Sequence, residues 1–259
     1  MDDCFFVPLD TTGDRYRATG HTTGPWDPGL QHGGPPSALL ARAVENCSPR
    51  EDMMVARMTC EILGPVPVGE LELRSAVVRP GRSVERIEAV LSSGGRDVVA
   101  ASAWRIRRTS APGVSPSARP PTVPTSASTV LLPGWGDGYL SAVEWRFVTG
   151  ALGVPGPSTV WTRLRHPLVA GEAPSPLQRV VAVADSGNGV SSQLDIRDWH
   201  FINPELTVHL HREADGEWIC LDAATAISTG GTGLATSVLS DTGGPVAVGA
   251  QALLVAPRG

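Results

Sequence analysis

Three polar side chains in the C-terminal part of the chain stand where strands are expected: Glu205, Thr225 and Gln251. Glu205 opens a run whose two faces separate, with Glu205, Thr207, His209 and His211 on one side and Leu206, Val208 and Leu210 on the other. Thr225 ends a run that begins with the apolar Trp218-Ile219-Cys220-Leu221. Gln251, one of four glutamines in the chain, interrupts the apolar stretch from Val246 to Val255, and an amide buried there needs a hydrogen-bond partner. A carboxylate, a hydroxyl and an amide brought together can take a proton from a water molecule and orient it. Near the other end, the segment from Trp26 to Pro36 passes through His32-Gly33-Gly34 into a proline-led helix. Two glycines there let backbone N–H groups approach a ligand, and the helix dipole favours negative charge, which suits an oxyanion.

Other chemistries fit less well. His209-x-His211, with Glu213 or Glu217 nearby, has the look of a cupin-type metal pair, but Asn203 occupies the position of the usual glycine and no second motif exists. No metal is therefore expected. No Gly-x-Ser-x-Gly elbow is present. Asp185-Ser186-Gly187-Asn188-Gly189 lacks the spacing and the histidine of a hydratase signature, which leaves Asp185 as a residue of a helix end. All 21 basic residues are arginine, so P-loop, Schiff-base and Ser-Lys mechanisms are excluded. Ala, Gly, Pro, Arg and Val are plentiful, so a GC-rich coding bias accounts for the missing lysine. A net charge of -5 argues against nucleic acid as a partner. No apolar run of about 18 residues predicts a membrane span. The acidic Met1-Asp2-Asp3-Cys4 is no secretory signal, and four scattered cysteines read as reduced thiols, so a cytoplasmic location is expected.

The elements that must position these residues repeat. Residues 111–134, rich in Pro, Ser and Thr, read as a linker between an N-terminal unit, 1–110, and a C-terminal unit, 135–259. In the first, Pro35-Pro36 opens a helix to about Cys47, followed by strands near 55–63, 70–79, 83–93 and 97–107. In the second, Pro176 opens a helix that stops in Ser186-Gly187-Asn188-Gly189, followed by strands near 204–212, 217–227, 233–240 and 245–255. Further strands are expected near 14–19, 142–148 and 159–165. Gly69-Glu70 parallels Gly216-Glu217 and Gly94-Gly95 parallels Gly243-Gly244. Under that repeat Arg57, Val78 and Ser102 stand where the second half has Glu205, Thr225 and Gln251, so the polar set is one-sided. One long helix wrapped by an antiparallel meander, twice over, is an α+β double hotdog.

His32-Gly33-Gly34 before the first helix, the tandem arrangement, the His211-Arg212 strand end, and Glu205, Thr225 and Gln251 on successive strands together resemble the acyl-CoA thioesterase II family. The chain is similar in particular to actinobacterial thioesterase-like double-hotdog proteins. The resemblance implies an enzyme of fatty acid metabolism that hydrolyses an acyl-CoA to free acid and CoA with activated water and no covalent intermediate. It puts the family's Asp, Thr or Ser, and Gln onto Glu205, Thr225 and Gln251, with Glu205 replacing Asp; the glycine-led helix entry leaves His32, Gly33 and Gly34 as the expected oxyanion and substrate-binding site. It implies no cofactor, since coenzyme A is part of the substrate, and a homodimer or higher homo-oligomer. The Arg105, Arg107 and Arg108 cluster is a candidate grip for the CoA phosphates. A non-catalytic acyl-thioester or CoA-binding protein on the same fold is the alternative.

Overall fold

A computed structural model describes residues 3–114, 119–128 and 137–258. In chain order its elements are β1 (Phe6–Pro8), β2 (Arg15–Ala18), α1 (Gly34–Asn46), β3 (Met53–Ile62), β4 (Glu70–Arg79), β5 (Val84–Ser93) and β6 (Arg96–Arg107). They continue with α2 (Tyr139–Ala142), β7 (Val143–Thr149), β8 (Ser158–Leu164), α3 (Pro176–Ala184) and α4 (Gly187–Val190). The chain ends with β9 (Trp199–Ile202), β10 (Glu205–Leu210), β11 (Ile219–Ile227), β12 (Thr232–Asp241) and β13 (Gly244–Pro257).

All the strands join one antiparallel sheet in the order β1-β2-β4-β5-β6-β3-β10-β13-β12-β11-β8-β7, with β9 added to β13. The order reads the same from both ends, so a pseudo-twofold axis passes between β3 and β10. Thr59 and Thr207, 148 residues apart, face each other on that axis with their hydroxyls 3.1 Å apart. The same offset runs through both ladders. Ile87 pairs with Val77 and Ala103, and Ala235 pairs with Thr225 and Gln251. Both β5–β6 and β12–β13 carry a register shift after the matching leucines, Leu91 and Leu239. The architecture is the double hotdog, but the counterparts of Thr225 and Gln251 are Val77 and Ala103. The expected Val78 and Ser102 are each displaced by one residue, which in a strand means the opposite face.

Period-2 burial sets the inner face: in β5, Glu85, Ile87, Ala89 and Leu91 are buried while the intervening residues are half-buried. Against that face lie α1 and α3, which also pack on each other. Leu39, Leu40 and Val44 of α1 and Val180, Val181 and Val183 of α3 are fully buried in one core. Each of the two has proline in its first turn, where the missing N–H is no loss. α3 has a side-chain cap, Ser175 Oγ accepting from Gln178 N at 3.2 Å, whereas α1 begins from Gly33 with none.

Residues 119–128 of the expected linker are fastened to the second half. The Trp161 indole donates to Pro121 O (3.0 Å), Arg146 donates to Pro124 O (2.6 Å), and Ser128 N donates to Trp145 O (2.7 Å). Residues 115–118 and 129–136 of it lie outside the described residues. No described helix is long and apolar enough to cross a membrane.

Candidate active site

The entry to α1 is shaped by what it must approach. Gly24 N donates to Leu30 O and His32 N to Thr22 O, which folds the Trp26 segment back so that Gly33 and Gly34 arrive against the end of α3. A Cβ on Gly34 would stand 2.2 Å from Ala182 O, and one on Gly33 would stand 2.7 Å from Asp185 Oδ2. Glycine at both positions is thus a requirement of close approach.

Asp185 is the group they approach. It caps the C-terminus of α3 and is 3% exposed. Its Oδ1 accepts from Asn203 Nδ2 at 2.8 Å and from Gln251 Nε2 at 3.3 Å, and its Oδ2 lies 3.2 Å from His32 Nδ1. Gln251, 2% exposed, also donates to Asp185 O at 3.1 Å, while its Oε1 accepts the Asn188 amide at 3.0 Å. The glutamine therefore clamps the link between α3 and α4, and both ends of its amide are used.

His32 is half-buried, its side chain 15% exposed, and desolvation pushes its imidazole below the usual histidine range, with the Asp185 carboxylate opposing. Its ring stacks on Tyr139 at 3.9 Å and 13°. The Tyr139 hydroxyl donates to Ala182 O at 2.8 Å and lies 3.0 Å from Ser186 Oγ. Burial pushes the Tyr139 phenol up, and it pushes the nearby Cys60 thiol up to about 12, so both stay protonated at neutral pH.

The residues expected from the sequence separate into two sets. Gln251, His32 and Gly33 meet at Asp185. Thr225 lies on the same inner face, one strand beyond Ala235, but its hydroxyl is bonded to Ser191 Oγ at 2.8 Å, on the far side of α4. Glu205 does not join them. It sits with Thr207 on the outer face, opposite to the buried Leu206, where Oε1 accepts the Ala252 amide (2.7 Å) and Oε2 the Thr207 hydroxyl (3.1 Å). Gly34 N donates to His32 Nδ1 at 3.0 Å, which leaves the Gly33 amide as the donor of that turn, because Pro35 and Pro36 have none.

Asp185 and Asn203 were missed as members of the site, although Asp185 carried a signal. An acid at a helix C-terminus opposes the macrodipole, and a fold keeps such a residue for another reason.

Asp185, His32, Gly33, Asn188 and Asn203 line one wall of a cavity of about 430 Å³. Leu140, Trp145, Leu152, Val190 and Phe201 make much of the rest of its lining apolar. Trp26 stands in the wall with one face covered by the Arg258 guanidinium, 5.0 Å from the ring centroid. The Arg105, Arg107 and Arg108 cluster is elsewhere and already matched by acids: Arg105 is buried against Glu85 (2.5 Å), Arg107 meets Asp52 (3.1 Å) and Arg108 meets Glu213 (2.5 Å). His209 and His211 are exposed on the outer side. Among the described residues, one group has spacing near that of metal ligands: Asp3, His21 and His166. Its two imidazoles are stacked at 4.1 Å and 24°, so they cannot both aim ring-plane lone pairs at one ion.

The chain is related to known proteins by fold and by family. No curated protein matches the chain in sequence. An acyl-CoA thioesterase II, TesB2, from Mycobacterium marinum superposes with a TM-score of 0.67 at 16% identity, covering 98% of this chain and 95% of that one. A hot dog fold protein of unknown function from Alicyclobacillus acidocaldarius superposes at 0.75 and 14% identity, covering 100% and 97%. These likenesses establish the fold. Residues 22–106 match the acyl-CoA thioesterase N-terminal domain and residues 115–255 match the acyl-CoA thioesterase C-terminal domain. Together the two matches span most of the chain, which thus belongs to the acyl-CoA thioesterase family.

Proposed function

We propose that the protein hydrolyses an acyl-CoA thioester to free acid and CoA by direct attack of water, with Asp185 as general base. The observation that carries this reading is a buried carboxylate at the wall of an apolar cavity, held by two side-chain amides and packed against Gly33. Asn203 and Gln251 fix the rotamer of Asp185, so the base needs no reorganisation when it takes the proton. As the water oxygen bonds to the carbonyl carbon, its proton passes to Asp185 and the Gly33 N–H receives the developing oxyanion. Collapse breaks the C–S bond, and Asp185 returns the proton to the thiolate. The apolar lining suits an acyl chain, and water excluded by it strengthens every polar contact at the wall.

Release of thiol from a panel of acyl-CoAs tests the reading. Asp185→Asn lowers turnover on the order of 10³-fold, the scale of a lost positioned base, while Glu205→Gln leaves it unchanged. Loss of activity in Glu205→Gln with Asp185→Asn still active would sink the assignment. Thermal stabilisation of the parent protein by CoA without thiol release from any acyl-CoA would favour the binding protein instead.

A further inference from the structure

His32 Nδ1 has two neighbours where one lone pair is available. The Gly34 amide donates to it at 3.0 Å, and Asp185 Oδ2 lies 3.2 Å away. A neutral imidazole carries a single N–H, so a ring that accepts from Gly34 at Nδ1 keeps its proton on Nε2. An ionised Asp185 would then press an oxygen lone pair against a nitrogen lone pair in a buried site, which is unfavourable. A proton between the two atoms removes the conflict. Asp185 Oδ1 already accepts from Asn203 and Gln251, which leaves Oδ2 as the oxygen that shares it. Among the described residues no arginine pairs with Asp185. Tyr139 of α2 and Cys60 of β3, both protonated, adjoin Asp185, Glu61 of β3 and Glu205 of β10 act on the same Cys60, and Asp27 and His200 of β9 line the same cavity.

We propose that His32 is a positioning residue that sets the ionisation of Asp185 through one shared proton. In the resting pair the Asp185 carboxyl and the Gly34 amide share the single Nδ1 lone pair as a three-centre contact, and the ring proton is on Nε2. To become a base, the carboxyl passes its proton across to Nδ1 while the Nε2 proton leaves to solvent in the cavity, which His32 lines. The O–H and Nε2–H bonds break, the Nδ1–H bond forms, and the net change is one proton released. His32 stays neutral and changes tautomer; its new Nδ1–H holds the carboxylate ionised, and the Gly34 amide gives up its bond to Nδ1. This inference rests on the hydrolytic reading for its kinetic consequence but not for its proton inventory.

Two measurements on the full chain separate those parts. In the pH profile of kcat/KM on an acyl-CoA, His32→Phe removes the donor, so the acid limb moves to higher pH by at least about one unit. His32→Asn, whose amide nitrogen reaches the position of Nδ1, returns the limb to the parental pH. In ¹⁵N-labelled parent protein, the His32 imidazole changes from the Nε2–H to the Nδ1–H tautomer over the pH range of that limb, without passing through imidazolium. In Asp185→Ala it stays Nε2–H throughout. A limb unmoved in His32→Phe, or a single His32 tautomer across the range, overturns the proposal. If the parent turns over no thioester, the hydrolytic reading fails and the tautomer titration alone decides the shared proton, as it does if His32→Phe does not fold.

Discussion

The two helices run antiparallel, so each ends beside the other's beginning, and each of these two junctions holds an acid. At one, Asp185 at the end of α3 faces the glycines that open α1. At the other, Glu45 near the end of α1 faces the start of α3, where Ser175 Oγ and Gln178 Nε2 both donate to its Oε2 at 2.8 Å. Both acids sit on the wrong end of their own helix for its dipole and on the right end of their neighbour's. What differs is how the neighbouring helix begins. α3 starts with a capping serine and a glutamine that bond Glu45 directly. α1 starts with Gly-Gly and two prolines, which offer no side-chain donor and little bulk. The sheet completes the distinction: Gln251 reaches Asp185, while its counterpart Ala103 is a buried methyl group. A duplicated frame thus carries one acid poised at a cavity and one bonded into structure.

Four substitutions attack that contrast directly. Asp185→Asn should produce the largest loss, about 10³-fold in kcat, with the fold intact by circular dichroism. Gln251→Ala follows, at roughly 10²-fold in kcat and about 1–3 kcal/mol in stability, because it frees Asp185 and leaves the Asn188 amide unpaired in the interior. The reciprocal Ala103→Gln overpacks a closed core, lowers stability by about 1–3 kcal/mol in denaturant melts, and gives no gain in rate. Gly33→Ala comes next. Its methyl group would stand 2.7 Å from Asp185 Oδ2, so the carboxyl must shift, and turnover falls roughly tenfold, since a displacement near 1 Å can cost about 10². If Gly33→Ala matches the parent, the contact between α1 and Asp185 has no catalytic weight.

Much of the fold was legible because apolar periodicity, proline-led helix starts and paired turns are local properties. The repeat was legible too, but only to within one residue. A register shift in β4 between Val77 and Arg79, and shared shifts after Leu91 and Leu239, decide which residues correspond, and none is written in the alternation. Gln251 was readable as an amide inside an apolar run. Glu205 does not converge with Gln251, and its own strand foretold this: Leu206, Val208 and Leu210 claim the inner face, so Glu205 points out. Asp185 and Asn203 were not readable together, because they lie 18 residues apart in two connections and meet only where the sheet and helix ends close on each other. The pattern of a single element cannot reveal a junction between elements.

The smallest effect concerns the other junction and is the sharpest check on its being structural. Burial pushes the Glu45 carboxyl above the usual glutamate range. The hydrogen bonds from Gln178 and Ser175 pull it down, the Glu213 charge adds to the rise, and Arg42 opposes it. A carboxyl with a raised native value favours folding in its protonated form. Its contribution is fully present below the unfolded value, near 4.3, and is lost as pH rises through the native one. At neutral pH ionised Glu45 is therefore a cost. Glu45→Gln keeps an acceptor for Ser175 and removes the charge, so it should raise Tm at pH 7–8 by roughly 2 °C and leave it unchanged near pH 4. Thermal melts across that range measure it, with thiol release unchanged throughout. A variant that loses turnover would mean that the two junctions share the chemistry, and the contrast between them would fall.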